Sequence, residues 1–133
     1  MTGSFSQILP IVSERIREGT LEAFRGTATE AARRIIDRCP VKTGRAKYHN
    51  QLQANSAVFD VTANTDPDGG AAKTAAAGAG SQLNLGDSAV IGNPLPYVEG
   101  LEHGTSTQAP SGFYGITEVE VPSIFVREMM AAV

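Results

Sequence analysis

The residues able to do chemistry are few and scattered. His103 follows Glu99 by four positions and Glu102 by one, a spacing that could offer an imidazole and two carboxylates to one cation. The only other histidine, His49, lies far upstream. Catalytic zinc sites need three protein ligands with outer support, so His103 reads instead as a surface group near a helix C-terminus. Asn64-x-Asp66-x-Asp68-Gly69 imitates the opening of a calcium loop. The position that should hold a bidentate glutamate is Ala75, and Asn64 and Pro67 weaken the match further, so the segment reads as a turn. Gly69-Gly-Ala-Ala-Lys-Thr74 approximates a phosphate loop but has Ala72 before Lys73 and Pro67 where the upstream glycine belongs. Cys39 sits at the end of a helical pattern, where the dipole disfavours a thiolate. No Gly-x-Ser-x-Gly elbow occurs. No residue is assigned to catalysis, a metal or a cofactor, and a non-enzyme is expected.

The strongest polar feature is basic. Arg33, Arg34, Arg38, Lys42, Arg45 and Lys47 concentrate in one stretch, followed by Tyr48 and His49. Such a cluster could bind duplex DNA or dock on an acidic protein surface, including the acidic half of another copy. Residues 1–49 carry nine Lys/Arg against five acids, and residues 50–133 carry two against nine. The bases alternate with acids along the helix and form no run, which favours a solvated helix and protein contact over DNA.

A chain of 133 residues with 41% hydrophobic residues supports one domain and one modest core. No apolar run is long enough for a membrane span, and the first residues lack a basic start and apolar stretch. A lone cysteine allows no internal disulfide. These features predict a soluble chain made in the cytoplasm.

Residues 11–38 have helical periodicity, with Val12, Ile16, Phe24, Ala28, Ala31 and Ile35 on the apolar face and a Glu30–Arg34 pair. Pro10 suits a first helical position, which makes Phe5–Leu9 a separate turn or short helix within an N-terminal arm, 1–10. Gly19 and Gly26 weaken the helix, and Pro40 ends it. Residues 41–46 read as a turn before a further element. Three stretches read as strands: 57–63, with Phe59 and Val61 inward; 88–92; and 113–121. Residues 71–80, nearly all Ala and Gly, read as a weak helix or a flexible loop inside an insertion, 64–87. Tyr97–His103 reads as a short helix stopped by Gly104, and another begins at Pro122. The expected fold is α+β: one long N-terminal helix on a small antiparallel sheet, with short helices after the central strand and at the C-terminus.

Three segments together resemble a family of tailed-phage neck and tail proteins. Ala31-Ala-Arg-Arg-Ile-Ile-Asp-Arg-Cys-Pro-Val-Lys-Thr-Gly-Arg45 is similar to that family's helix followed by Pro-Val-Asp-Thr-Gly-Arg, with Lys42 in place of the acid. Asp66-Pro-Asp-Gly-Gly-Ala-Ala72 and the alanines after it resemble an insertion before the central strand. Val90-Ile-Gly-Asn-Pro-Leu-Pro-Tyr-Val-Glu-Gly-Leu-Glu-His-Gly-Thr105 resembles Asn-x-x-Pro-Tyr-Ala-x-x-Leu-Glu-Tyr-Gly, with Val98 for Ala and His103 for Tyr. The segment Ala109-Pro-Ser-Gly-Phe-Tyr-Gly-Ile-Thr117 resembles the ending of that pattern. The family is the tail-completion type, which includes the minor tail protein Z of lambda-like phages.

The resemblance implies a structural virion protein at the head-proximal end of a tail, assembled in the host cytoplasm, which completes the tail and joins it to the DNA-filled head. Implied partners are further copies in a ring of six, a tail-terminator or tail-tube protein, and a head-completion or stopper protein. Genome DNA would pass through the ring without sequence-specific binding, and no membrane is involved. Partner-contact candidates are Arg34, Arg38, Lys42, Thr43, Gly44 and Arg45 in the first segment. In the third they are Tyr97, Glu99, Glu102, His103, Gly104 and Thr105. A tail terminator or other neck connector is the first alternative, and a DNA-binding accessory protein using residues 33–47 is the second.

Overall fold

The structure is a computed structural model that describes residues 4–132. Helix α1 spans Phe5–Arg38 without interruption. It begins at Ser4, whose N–H donates to Gln7 Oε1 at 3.0 Å, one half of a capping box. Pro10 therefore lies inside the helix and not at its start, which corrects the expected break at Leu9. It removes one hydrogen bond in the second turn of the helix. Of the expected arm, residues 1–3 lie outside the described residues. The helix stops as its sequence predicts: Cys39 turns extended before Pro40, and its N–H donates back to Ile35 O at 3.0 Å.

Short helix α2, Arg45–Tyr48, follows a turn in which Gly44 has φ +87°. A β-carbon there would strike the backbone of Pro67, so the position needs glycine for both conformation and space. Strand β1, Gln51–Ala54, pairs antiparallel with β2, Ala89–Gly92, placing Leu52 opposite Ile91 and Gln53 opposite Val90. Helix α3, Gly70–Ser81, takes the helical alternative for the Ala/Gly-rich stretch. Helix α4, Val98–Glu102, and helix α5, Tyr114–Ala132, complete the chain. The architecture is α+β, with the long first helix carrying the rest.

Two expected strands do not form. The stretch 57–63 joins no ladder, and Val61, expected inward, is 60% exposed. Side chains replace the neighbouring strand: the carbonyls of Val58, Asp60 and Thr62 accept from Gln53 Nε2 (2.6 Å), Gln51 Nε2 (3.0 Å) and Arg45 Nε (3.1 Å). Phe59 is half-buried, with its ring against Gly92. The stretch 113–121 opens α5, which runs through Pro122. Its Val/Thr–Glu alternation is also compatible with a helix in which Thr117 and Ile124 face inward, and burial of those two against α1 decides the matter.

The core has two parts. Ala28, Ala32 and Ile36 of α1 meet Leu52, Ala72, Ala76 and Leu83. The small residues let α3 lie close on α1, and a β-carbon at Gly80 would collide with Thr29 Oγ1. The second part joins Ile35, Cys39 and Ala46 to Leu95, Val98 and Phe113, with Ile91 packed on both. Val12 and Ile16, expected on the core face of α1, are exposed instead.

Candidate functional site

Of the twelve candidate residues, six meet. The turn Lys42-Thr43-Gly44-Arg45 and the segment carrying Tyr97 and Thr105 form opposite walls of a groove of about 480 Å³, with Pro40, Ala46 and Leu101 also lining it. Two segments more than fifty residues apart in sequence thus make one surface. The groove is held from both sides. Behind the turn, Gly44 O accepts the Asp66 N–H at 2.9 Å. At the other wall, the Gln108 amide exchanges two hydrogen bonds with Val41, accepting from its N–H at 2.7 Å and donating to its O at 2.8 Å.

Its walls offer polar and aromatic groups. Tyr97 is 45% exposed. Lys42 is exposed and has no hydrogen-bond or ion-pair partner among the described residues. Arg45 spends Nε on Thr62 O. Hydroxyls of Thr43 and Thr105 stand beside them. An ammonium, hydroxyls and an aromatic ring on rigid turns suit a polar or acidic protein segment. Among the described residues, no three His, Cys, Asp or Glu side chains converge on a metal position.

The other six candidates lie elsewhere. Arg34 and Arg38 belong to the seam between α1 and α5. Arg34 reaches Glu120 at 3.2 Å and Glu30 at 2.9 Å, and Arg38 binds Glu120 and donates to Thr117 Oγ1 at 3.0 Å. Arg33 pairs with Glu30 and Asp37, and Lys47 is buried with Nζ 3.4 Å from Asp37 O. The basic stretch is therefore largely consumed within the fold. Arg38 holds the Glu120 carboxyl below its ordinary range, and Arg33 with Arg34 holds Glu30 at about 2.

Glu102 has a structural task. Its carboxylate accepts the N–H groups of Phe113 (2.8 Å), Tyr114 (2.7 Å) and Gly115 (2.9 Å) at the start of α5. Burial pushes this carboxyl up, but the three N–H groups outweigh burial and hold it low. Glu99 and His103 are exposed on and after α4. Gly104, with φ +84°, lies against Pro110 O and turns the chain as expected of a helix stop.

Sequence reasoning missed a buried polar network behind the groove. His49 Nδ1 donates to Arg45 O at 2.7 Å while Nε2 accepts the Thr62 N–H at 2.9 Å, which fixes the Nδ1-protonated tautomer. Asn93 donates to Ala46 O (2.8 Å) and Asn50 Oδ1 (3.1 Å), and Tyr114 Oη donates to that same oxygen at 2.8 Å. Burial pushes the Tyr114 hydroxyl up, as it does the Cys39 thiol. Burial thus makes Cys39 a poor thiolate. Asp66 and Asp68 cap α3, accepting from Ala72 and Gly70 at 2.8 and 2.9 Å, which gives the calcium-like motif its turn role. No signal in the sequence marked Glu102 for this task, since Ser111 and Gly112 are themselves common residues at a helix start.

No family model, curated protein or solved structure matches the chain.

Proposed function

We propose that this chain is a structural virion protein of the phage neck, completing the tail at its head-proximal end and joining it to the DNA-filled head. The observation that carries the reading is the groove. The Pro-Val-Lys-Thr-Gly-Arg turn and the Pro-Tyr-Val-Glu-Gly-Leu-Glu-His-Gly segment, which bear the resemblance, face each other across it. The partners are further copies in a ring of six, a tail-terminator or tail-tube protein, and a head-completion or stopper protein, with DNA passing unread. That no described helix is long and apolar enough to cross a membrane agrees with a partner list free of lipid. The role is non-enzymatic: the groove presents turns, hydroxyls and one ring for docking.

The DNA-binding alternative draws less support, since Arg33, Arg34, Arg38 and Lys47 are engaged inside the chain. Electron microscopy of a lysate from a parent phage with this gene disrupted tests the reading. Full heads beside separate tails of normal length are expected. Overlong tails make the chain a terminator, and intact infectious virions overturn the structural role.

A further inference from the structure

We infer that the first turns of α1 dock antiparallel on the outer face of α5 in a second copy of this chain. The N-terminal part of α1 stands clear of the body. Leu9, Val12 and Ile16 are 49%, 44% and 59% exposed. Their three- and four-residue steps put them on one side of the helix. A 14-residue projection is about 21 Å long, and Ala132 of α5 shares a cavity with residues near its base. Among the described residues this stripe is left largely open.

The complementary stripe is on α5. Its inner side is committed to α1 through Thr117, Glu120 and Ile124. Val119, Val126 and Met130 fall on the opposite side, exposed by 81%, 56% and 73%. Val119 and Val126 stand seven apart, as do Leu9 and Ile16, so both stripes have the step of a two-helix seam. The flanking residues fix the direction. One position before each seam residue stand Ile8 and Arg15 on α1, Glu118 and Phe125 on α5. Antiparallel docking sets Arg15 against Glu118 and, seven residues on, Ile8 against Phe125. Parallel docking would bring Arg15 opposite Ser123 and leave Glu118 without a cation. Charge and apolar matching together therefore select a copy of this chain in one orientation.

One such contact is small beside the ~1,200–2,000 Å² of a stable interface. Donor and receiving surfaces differ, so the contact is head-to-tail and closes as a ring or as a reciprocal exchange of arms. The inference deepens the self-association in the proposed function but rests on α1 and α5 alone.

Sedimentation equilibrium of the purified full chain tests it. The wild type is expected to associate with rising concentration. Ile16→Glu and Val126→Glu each weaken association ~10- to 100-fold, and both positions are exposed enough to leave the fold intact. Arg15→Glu or Glu118→Arg alone weakens it, and the double swap restores it. A Leu9→Cys/Val126→Cys chain, which pairs the two residues set opposite each other in this register, forms disulfides between copies and none within one. A monomer at every concentration, an effect of Ile16→Glu but not Val126→Glu, or a double swap that fails to restore association overturns the inference. The two readings fail separately: intact virions without the gene refute the neck role and leave this contact standing, whereas an arm-independent ring does the reverse.

Discussion

Arg38 and Glu120, 82 residues apart in sequence, form a two-point ion pair across the seam of α1 and α5, with Nη2 3.1 Å from Oε2. Arg34 joins the same carboxylate, so the basic first third and the acidic remainder of the chain meet within one molecule. The charge division is in part a record of this seam. Replacing Glu120 by Ala strands two guanidinium groups beside Thr117 and Glu30. A lower thermal midpoint is expected, and a double-mutant cycle with Arg38→Ala should return a favourable coupling that shrinks as salt is added.

Acid should unfold the protein through its held carboxylates. Glu30, Glu102 and Glu120 all have folded values below the ordinary carboxylate range. Their stabilisation is fully present above the unfolded value of about 4.3 and is lost as pH falls through the folded values, toward about 2 for Glu30. The thermal midpoint should therefore hardly change between neutrality and pH ~5 and drop steeply below ~4. A drop centred near neutrality would contradict this assignment.

Glu102→Ala should cost about 0.5–2 kcal/mol, the usual range for a lost helix cap. Three N–H groups lose their acceptor at once. Glu102→Gln should cost less, because one oxygen survives, although its amide then faces a donor. Urea denaturation of both variants gives the order, and hydrogen exchange should localise the loosening to residues 113–115.

Two glycines of α3 should answer alanine with opposite signs. Gly78 has open space where a β-carbon would go, so Gly78→Ala should stabilise by up to about 1 kcal/mol. Gly80→Ala gains the same propensity but meets Thr29, and overpacking of about 1–3 kcal/mol should dominate. Equal effects from the two substitutions would refute the close approach of α3 to α1.

His49→Ala removes the acceptor of the Thr62 N–H and the donor to Arg45 O. The amide of Thr62 should exchange markedly faster, while the middle of α1 keeps its protection. A loss of about 1–3 kcal/mol is expected, chiefly from the stranded Thr62 N–H, since Arg45 O keeps the backbone N–H of residue 49 at 3.2 Å.

The groove has its own test. Tyr97→Ala and Lys42→Glu alter exposed side chains and should move stability by no more than about 0.5 kcal/mol. In a phage carrying either, heads and tails should accumulate unjoined. Normal joining by both variants would remove the groove from the docking surface.

The local features were legible in the residues alone. The helix of α1 and its stop before Pro40, strand β2, the short helix before Gly104 and the left-handed turn at Gly44 follow from periodicity, proline geometry and glycine's freedom, which act over a few residues. The sequence also held the resemblance that picked out residues 42–45 and 97–105. The remaining elements depend on contacts between distant segments. Residues 57–63 have strand alternation but no strand partner, because Gln51, Gln53 and Arg45 reach their carbonyls first. Residues 113–121 alternate like a strand yet coil, because α1 offers Arg34 and Arg38 to Glu120 and a buried surface to Thr117 and Ile124. Strand β1 was missed although Gln-Leu-Gln-Ala alternates, since four residues carry too weak a pattern without the pairing that selects them. Ion pairs and ladders join residues distant along the chain, and their energy belongs to the pair rather than to either segment.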